Sequence, residues 1–226
     1  MRVYTINVDA QGERSFLYWR ERGATREMFS LPEMADVLSA ASEASLLYLS
    51  LISLAVLPPE GRAQLLALAT VNKAAGKQVA YDSNYRPNLW VSHAEALAVS
   101  EQAIAAATLG LPTNVDEQQL RGHSLTEAAI ANLWLEAGCG EVVVKSGSAG
   151  CFIASSEFSG HRRPTERIVA VHTSGAGDAF NAGYLVYRLR QFDPVRATEQ
   201  GEGIARWVIS RNGAIPPQDS DAPYTA

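Results

Sequence analysis

Short apolar runs alternate with longer amphipathic stretches from Leu46 onward, and this alternation is what most constrains the fold. Five-residue runs stand at 46–50, 78–82 and 141–145, with stretches of helical length between them. Such an alternation predicts βα units and a mostly parallel sheet. The consecutive valines Val142, Val143 and Val144 are typical of a strand that is buried on both faces. The sequence therefore predicts a layered α/β fold.

The same patterns give bounds for the individual elements. Six strands are predicted at 46–50, 78–82, 108–112, 141–145, 151–154 and 168–171, and five helices at 59–75, 94–107, 125–137, 177–189 and 197–210. Within the third helix, Leu133 and Trp134 are expected to face inward. Alternating residues at 2–8 and 15–19 around a Gln11-Gly12 turn predict a β-hairpin at the start of the chain. The acidic tail after Pro217 has no periodicity, and we expect a surface extension or frayed end there.

Charge and apolar content exclude several classes of protein. The 226 residues carry 19 basic and 24 acidic side chains, a net charge of −5, with no long run of either sign. This balance argues against a nucleic-acid or membrane surface, and no apolar stretch approaches the ~20 residues of a membrane span. The polar N-terminus does not resemble a signal peptide, so a cytoplasmic location is expected. Cys139 and Cys151 lack metal-ligand spacing and are expected to be reduced and structural.

A glycine-rich turn at 173–178, with the sequence Thr-Ser-Gly-Ala-Gly-Asp, leads into a helix of small residues. Backbone N–H groups at a helix N-terminus, with the positive end of the helix dipole behind them, suit a phosphate group. Asp178 in the first turn can accept a proton from a hydroxyl that attacks a phosphoryl group. The alternative is that the glycines only make a tight connection and Asp178 caps the helix.

Residues 173–184 together resemble the second signature of the ribokinase-like PfkB carbohydrate kinases. The resemblance implies a three-layer α/β/α fold with a small β lid, and ATP and Mg²⁺ as cofactors. It also implies that Asp178 is the catalytic base and that the backbone of Gly175, Ala176 and Gly177 forms the anion hole. One position departs from the signature, because His172 stands where the family normally has Asp.

Further segments resemble the nucleotide site of that family. Asn114 and Glu117 form an Asn-x-x-Glu pattern, which alone indicates a helix capping box but by resemblance helps to position Mg²⁺ through water or phosphate. The turn at 145–150 is either a plain glycine hairpin or the family's nucleotide turn. The resemblance implies nucleotide contacts from five residues: Lys145, Gly147, Gly150, Gly203 and Asn212.

The segment at 82–87 closely resembles one branch of the family, the 2-keto-3-deoxygluconate kinases. A guanidinium such as that of Arg86 can bind a carboxylate through two parallel hydrogen bonds, which suits a sugar acid; a structural salt bridge is the alternative. By the same resemblance, Tyr4, Tyr18 and Arg20 belong to lid strands that contact the substrate; a hydrophobic hairpin face with a solvated Arg20 is the alternative. Leu51 departs from the branch, which tends to have Gly at that position.

The resemblance begins well inside the usual length of the family, so the prediction is an N-terminally truncated fold. Residues 1–22 are expected to be a partial β-hairpin lid and 23–226 a truncated kinase domain. The favoured function is ATP-dependent phosphorylation of the terminal hydroxyl of 2-keto-3-deoxygluconate. A catalytically silent remnant that binds nucleotide or a partner is one alternative, and a kinase for a neutral sugar such as fructose or ribose is another. The lid is also a candidate surface for homo-oligomer formation.

Overall fold

The computed structural model describes residues 24–164 and 168–224 in full, and the backbone alone of 3–8 and 14–19. The chain divides into two compact units, Met1–Ala107 and Thr108–Ala226. Each unit combines strands with helices, in agreement with the predicted α/β class. The predicted division between a lid at 1–22 and a kinase domain at 23–226 stays a prediction.

The first unit begins with the predicted hairpin. Strand β1 (Val3–Val8) pairs antiparallel with β2 (Arg14–Trp19), and Tyr4 lies opposite Tyr18 in the register. The elements that follow are α1 (Met34–Glu43), β3 (Leu46–Ser50), α2 (Leu51–Val56), α3 (Pro59–Ala74), β4 (Gln78–Asp82) and α4 (His93–Ala106). Strands β3 and β4 run parallel, with Ser50 beside Asp82. Both strands were predicted with these bounds.

Local signals explain where the helices of this unit begin. The hydroxyl of Ser50 accepts a hydrogen bond from Ser53 N–H at the start of α2, and that of Ser92 accepts one from Glu95 N–H at the start of α4. Leu51, the first residue of α2, is 0% exposed. Its side chain therefore belongs to the apolar core, which gives a packing reason for Leu where the related branch has Gly.

The second unit contains both parallel and antiparallel strand pairs. Its elements are β5 (Leu109–Gly110), α5 (Asn114–Arg121), α6 (Glu127–Glu136), β6 (Glu141–Lys145), β7 (Cys151–Ala154), β8 (Ser159–Arg162), α7 (Ala176–Leu189) and α8 (Pro194–Ile209). Strand β6 pairs parallel with β5 and antiparallel with β7, and β7 pairs antiparallel with β8. All five residues of β6 are buried, as its valine run predicts.

Several sequence predictions for this unit are wrong. Residues 168–171 are not a strand; instead Val171 N–H donates to the carbonyl of Ile209, at the end of α8, over 2.8 Å. The third strand of the antiparallel set is β8, which lacks an apolar pattern. Trp134 is buried as expected, but Leu133 is 37% exposed. The buried face of α6 consists of Ile130, Ala131 and Trp134, and Leu133 lies about 100° around the helix from Trp134, at the margin of that face.

The described part of the C-terminal tail, up to residue 224, is largely exposed on the surface, as predicted, and is held there by specific contacts. The indole Nε1 of Trp207 donates to Asp219 Oδ1 over 3.0 Å, and Arg211 Nε donates to Asp219 Oδ2 over 2.7 Å. Ala222 is buried with Trp207 and Val208. The tail is therefore fixed against the end of α8 by one carboxylate and a small apolar cluster.

Both cysteines are free thiols in the buried interior. Burial raises the pKa of the Cys151 thiol to about 12, so the unreactive neutral form dominates at physiological pH. This environment agrees with the structural role that was predicted for them. Across the part of the chain that the structure describes, no helix combines the length and the apolar character needed to cross a membrane.

Candidate active site

The glycine-rich turn at 173–178 is held in one conformation at the start of α7. Gly175 has a φ of +82°, a region that L side chains rarely adopt, and it is the residue immediately before the helix. A Cβ built on Gly175 would lie 2.6 Å from the carbonyl oxygen of Ala214. Conformation and space therefore both require glycine here, because the segment after α8 packs directly on the turn.

Helix α7 presents its N-terminus at this turn. The helix has 14 residues, and Gly175 offers no side-chain cap to the N–H groups of its first turn. Asp178 stands in that first turn and is exposed. The arrangement places a carboxylate beside a helix N-terminus, whose dipole favours a bound anion.

Lys145, at the end of β6, approaches the same turn from the interior. Its ammonium Nζ donates to Asn181 Oδ1 of α7 over 2.8 Å, and both residues are buried. A Cβ built on Gly177 would lie 3.9 Å from Nζ, which is ordinary contact distance. The lysine predicted for nucleotide binding is thus next to the predicted anion hole. Asn181 was not predicted as a site residue. Its only sequence signal is a single amide side chain among the small and apolar residues of α7.

Another interaction orders the turn through the residue that departs from the family signature. The Nδ1 atom of His172 accepts a hydrogen bond from Ser174 N–H over 3.2 Å. The backbone N–H of His172 itself donates to Ile209 O over 3.2 Å. An Asp at this position could accept from the same N–H group. The imidazole of His172 therefore keeps a hydrogen-bond acceptor at this point of the turn.

We expect His172→Ala to lower kcat by about fivefold, because one hydrogen bond worth about 1 kcal/mol that orders the turn is lost. His172→Asp should keep kcat near that of the wild type, since a carboxylate oxygen can accept from Ser174 N–H. Steady-state ADP release measures both variants, and His123→Ala, at an exposed histidine, is the control. An unchanged kcat in His172→Ala would show that this hydrogen bond does not matter for turnover.

Helix α7 is fixed to β6 at a second point. Tyr184 Oη donates to Glu141 Oε1 over 2.6 Å, and Arg188 Nη2 donates to Glu141 Oε2 over 2.7 Å. Glu141 begins β6 and Lys145 ends it, so the helix contacts the strand through side chains of both residues. Burial and the neighbouring carboxylate raise the pKa of Tyr184, which keeps its hydroxyl as a hydrogen-bond donor.

Asn114 and Glu117 do not form the capping box that their spacing alone indicates. Helix α5 begins at Asn114 itself, whose Oδ1 accepts from Gln118 Nε2 over 2.6 Å. Glu117 is 0% exposed, and Arg121 Nε donates to its Oε2 over 3.1 Å. Burial raises the pKa of Glu117, while the Trp134 indole and the Arg121 guanidinium oppose that rise.

The buried carboxylate also bears on the magnesium prediction. Glu117 Oε1 makes no hydrogen bond of ordinary geometry to the described residues. Within the same residues, no group of three or more His, Cys, Asp or Glu side chains could hold a metal ion directly. The indirect role in positioning Mg²⁺ that was predicted for Asn114 and Glu117 stays a prediction.

The remaining nucleotide candidates fall into two groups. Gly147 and Gly150 form the turn of the β6–β7 hairpin with φ values of +56° and +99°, and a Cβ on Gly150 would lie 2.0 Å from Arg162 O. The hairpin reading of this turn is thus correct, without excluding a nucleotide contact. Gly203 on α8 faces open space, and Asn212 is exposed beside Gly213 and Ala214, the segment that packs on Gly175.

The substrate candidates lie in the first unit. Arg86 follows β4 and is exposed, and its Nη1 donates to the carbonyl of Tyr85 over 2.6 Å. Tyr4 and Tyr18 are opposite each other in the hairpin register, but their side chains and the whole of Arg20 lie outside the described residues. The contacts predicted for these four residues stay predictions.

The fold and the turn before α7 together define a sugar-kinase class, and comparison with known proteins identifies the family. The model of the pfkB family carbohydrate kinases matches residues 1–221. The chain belongs to this family, as the sequence predicted. A candidate ribokinase II of Escherichia coli, solved with ATP and Mg²⁺, has a TM-score of 0.72 at 22% identity over 90% of this chain and 63% of that chain. This likeness confirms the ribokinase-like α/β fold.

Two curated relatives carry the same name. The chain is 37% identical to the 2-dehydro-3-deoxygluconokinase of Haemophilus influenzae, over 94% of this chain and 68% of the relative. It is 35% identical to the 2-dehydro-3-deoxygluconokinase of Escherichia coli K12, over 96% of this chain and 71% of the relative. The chain is thus shorter than these relatives. Their name denotes the 2-keto-3-deoxygluconate kinase branch that the segment at 82–87 resembles.

Proposed function

We propose that this protein is an ATP-dependent kinase that phosphorylates the terminal hydroxyl of 2-dehydro-3-deoxygluconate. The observation that carries the proposal is the turn before α7, where Gly175 has a φ of +82° and Asp178 stands in the first turn of the helix, because a helix N-terminus is suited to an anion. The two relatives with this name supply the substrate class. Arg86 supports a sugar acid over a neutral sugar, since its exposed guanidinium suits a carboxylate.

In the proposed reaction, the bound Mg-ATP supplies the phosphoryl group and the metal charge that neutralises its oxygens. Asp178 accepts the proton of the terminal hydroxyl while that oxygen forms its bond to the γ-phosphorus. The bond between the γ-phosphorus and the oxygen retained by ADP breaks in the same displacement. The N–H groups of Gly175, Ala176 and Gly177 donate to the phosphoryl oxygens as negative charge spreads over them.

Four further groups of residues have proposed roles in binding the two substrates. Asn114 and Glu117 organise the water and phosphate oxygens that meet Mg²⁺, for which the buried carboxylate of Glu117 is suited. The β6–β7 turn with Lys145, Gly147 and Gly150 bounds the nucleotide. The open space at Gly203 and the exposed amide of Asn212 suit the base. Tyr4, Tyr18, Arg20 and Arg86 contact the sugar acid.

The direct test of this function is ADP release from the purified chain with Mg-ATP and each candidate acceptor. We expect turnover with 2-dehydro-3-deoxygluconate and much less with fructose or ribose at equal concentration. Faster turnover with fructose or ribose would mean that the acceptor is a neutral sugar and not the sugar acid. ADP binding without turnover of any acceptor, in protein with a cooperative thermal transition, would favour the silent alternative.

Substrate specificity is tested separately at Arg86. We expect Arg86→Ala to raise KM for the sugar acid by about 10–100-fold, because a charge-assisted pair contributes roughly 1.5–3 kcal/mol. KM for Mg-ATP should not change. Arg190→Ala, at an exposed arginine at the far end of α7, is the matched control. An unchanged KM for the sugar acid would remove Arg86 from the substrate site.

A further inference from the structure

The C-terminal tail at 218–224 is tied to the end of α8 through one carboxylate. Asp219 Oδ1 accepts a hydrogen bond from Trp207 Nε1 over 3.0 Å, and Asp219 Oδ2 accepts one from Arg211 Nε over 2.7 Å. The same Oδ1 also accepts from the backbone N–H of Asp221 over 3.0 Å. The Arg211 guanidinium and the Trp207 indole hold the pKa of Asp219 below its usual range, so this carboxylate is charged at neutral pH.

Packing reinforces these hydrogen bonds. The guanidinium carbon of Arg211 lies 4.6 Å from the centroid of the Trp207 ring, and the ring of Tyr224 meets the same indole edge-on, with 5.5 Å between the ring centroids. Ala222 is buried together with Trp207 and Val208, and we call these three residues the tail cluster. The tail is thus exposed on its outer side and fixed to α8 on its inner side.

Elements that the tail holds contact the chain on both sides of the proposed base. Ala179, the residue after Asp178, packs against the tail cluster. Before Asp178 in the chain, Gly175 lies so close to Ala214 that an added Cβ would be 2.6 Å from the Ala214 carbonyl oxygen. Ala214 follows Arg211 by three residues, so the ion pair that fixes the tail also fixes the start of the segment that packs on the turn.

We propose that Asp219 is a positioning residue for the reaction, because it fixes the tail and Arg211, and through them the two contacts that hold residues 175–179 in their catalytic conformation. This inference rests on the proposed kinase function. A general base must lie within hydrogen-bond reach of the attacking hydroxyl, and the donors of an anion hole must be in place before the charge develops. A small displacement that originates far from the chemistry therefore lowers the rate.

The test is Asp219→Ala, with Asp193→Ala as the matched control. Asp193 is an exposed aspartate at the other end of α8, and its Oδ1 likewise accepts two hydrogen bonds, from the backbone N–H groups of Val195 and Arg196. We expect Asp219→Ala to lower kcat by about 5–10-fold, the equivalent of one or two hydrogen bonds that order the turn, with KM for the sugar acid unchanged.

Thermal unfolding of the two variants separates this role from a merely structural one. Asp219→Ala should change the thermal midpoint little, because exposed ion pairs contribute little to stability. Asp193→Ala should lower the midpoint more, because a helix cap is lost, and should leave kcat unchanged. If Asp219 were merely structural, kcat would follow stability, and Asp193→Ala would lose at least as much kcat as Asp219→Ala. That result overturns the inference, and so does a kcat of Asp219→Ala close to that of the wild type.

Asp219→Asn is the second variant if Asp219→Ala does not fold. Its amide oxygen can still accept from Trp207 Nε1, but the charge-assisted bond from Arg211 is lost, so kcat should fall by less than in Asp219→Ala. An unchanged kcat in Asp219→Asn, when this is the variant that folds, overturns the inference as well.

Titration calorimetry with Mg-ADP separates the failure of this inference from the failure of the proposed function. If the wild type binds Mg-ADP but phosphorylates no sugar acid, the proposed function fails, and Asp219 is judged by the Kd, since the N–H groups of the turn also suit a phosphate of the nucleotide. A Kd raised several-fold in Asp219→Ala but not in Asp193→Ala supports the inference. Equal Kd values in the wild type and both variants overturn it, and a wild type that neither turns over nor binds Mg-ADP overturns both proposals.

Discussion

Replacing Asp178 by Asn should lower kcat by at least roughly 10²–10⁴-fold, the range that general base catalysis contributes. The carboxamide has nearly the size of the carboxylate but cannot accept the proton of the attacking hydroxyl at neutral pH. Asp178 is exposed in the first turn of α7, so the substitution leaves the core unchanged. ADP release in the presence of the sugar acid measures the loss, and calorimetry with Mg-ADP should give a Kd close to that of the wild type.

The matched control for this prediction is Asp36→Asn. Asp36 is likewise an exposed aspartate in the first turn of a helix, α1, in the other unit. Both substitutions remove one carboxylate from a helix N-terminus and should cost about 0.3–1 kcal/mol of stability. Only Asp178→Asn should lose turnover. If Asp178→Asn keeps kcat within a few-fold of the wild type, Asp178 is not the base.

Hydrophobic patterning was enough to predict most of the strands and the longer helices. The valine run of β6 and the parallel pair β3 and β4 have apolar runs of the right length and turn residues at their ends. Helix α1 was missed because it contains no fully buried residue, and α2 because six residues are too few to display a helical period. Strand β8, with the sequence Ser-Gly-His-Arg, forms only because β7 offers it a paired edge.

The residues of the candidate site also differ in how far they could be predicted. Some are neighbours in the sequence, and others meet only in the folded structure. The glycine motif and Asp178 are adjacent in the sequence, so their common position at the start of α7 could be predicted from order alone, while the roles that the resemblance implies for them stay predictions. The pair Lys145 and Asn181 joins residues 36 positions apart, and no local pattern connects them. The hydrogen bond from Ser174 N–H to His172 depends on ring orientation within the turn, which the residue type alone does not determine.

The tail was predicted correctly as a surface extension, but its composition does not reveal the contacts that fix it. Its polar, aperiodic sequence is typical of an exposed end, yet Asp219 accepts from both Trp207 and Arg211 and fixes the segment to α8. Two hydrogen bonds to one carboxylate, one of them charge-assisted, can offset the entropy of ordering a few residues. Arg211 directly precedes the 212–214 segment, so an ordered tail also stabilises the residues that pack on Gly175.

Gly175→Ala should have the second large effect, because it disturbs the anion hole and the segment behind it at once. A positive φ costs an L side chain roughly 1–2 kcal/mol. The added methyl would also lie 2.6 Å from Ala214 O, a backbone atom that cannot move without its segment. We expect kcat to fall by about 10²-fold, comparable to the loss of one anion-hole donor, with a lowered thermal midpoint.

Gly76→Ala separates the steric effect from the backbone strain. Gly76 has a similar φ of +76°, but a Cβ there meets nothing within 4 Å. It should therefore lower the thermal midpoint by the strain contribution alone and leave kcat unchanged, as measured by thermal unfolding and ADP release. Equal losses of stability in the two variants, with full activity in Gly175→Ala, would mean that the 212–214 segment moves readily to accommodate the added methyl group. The turn before α7 would then not depend on contact with Ala214 for its catalytic conformation.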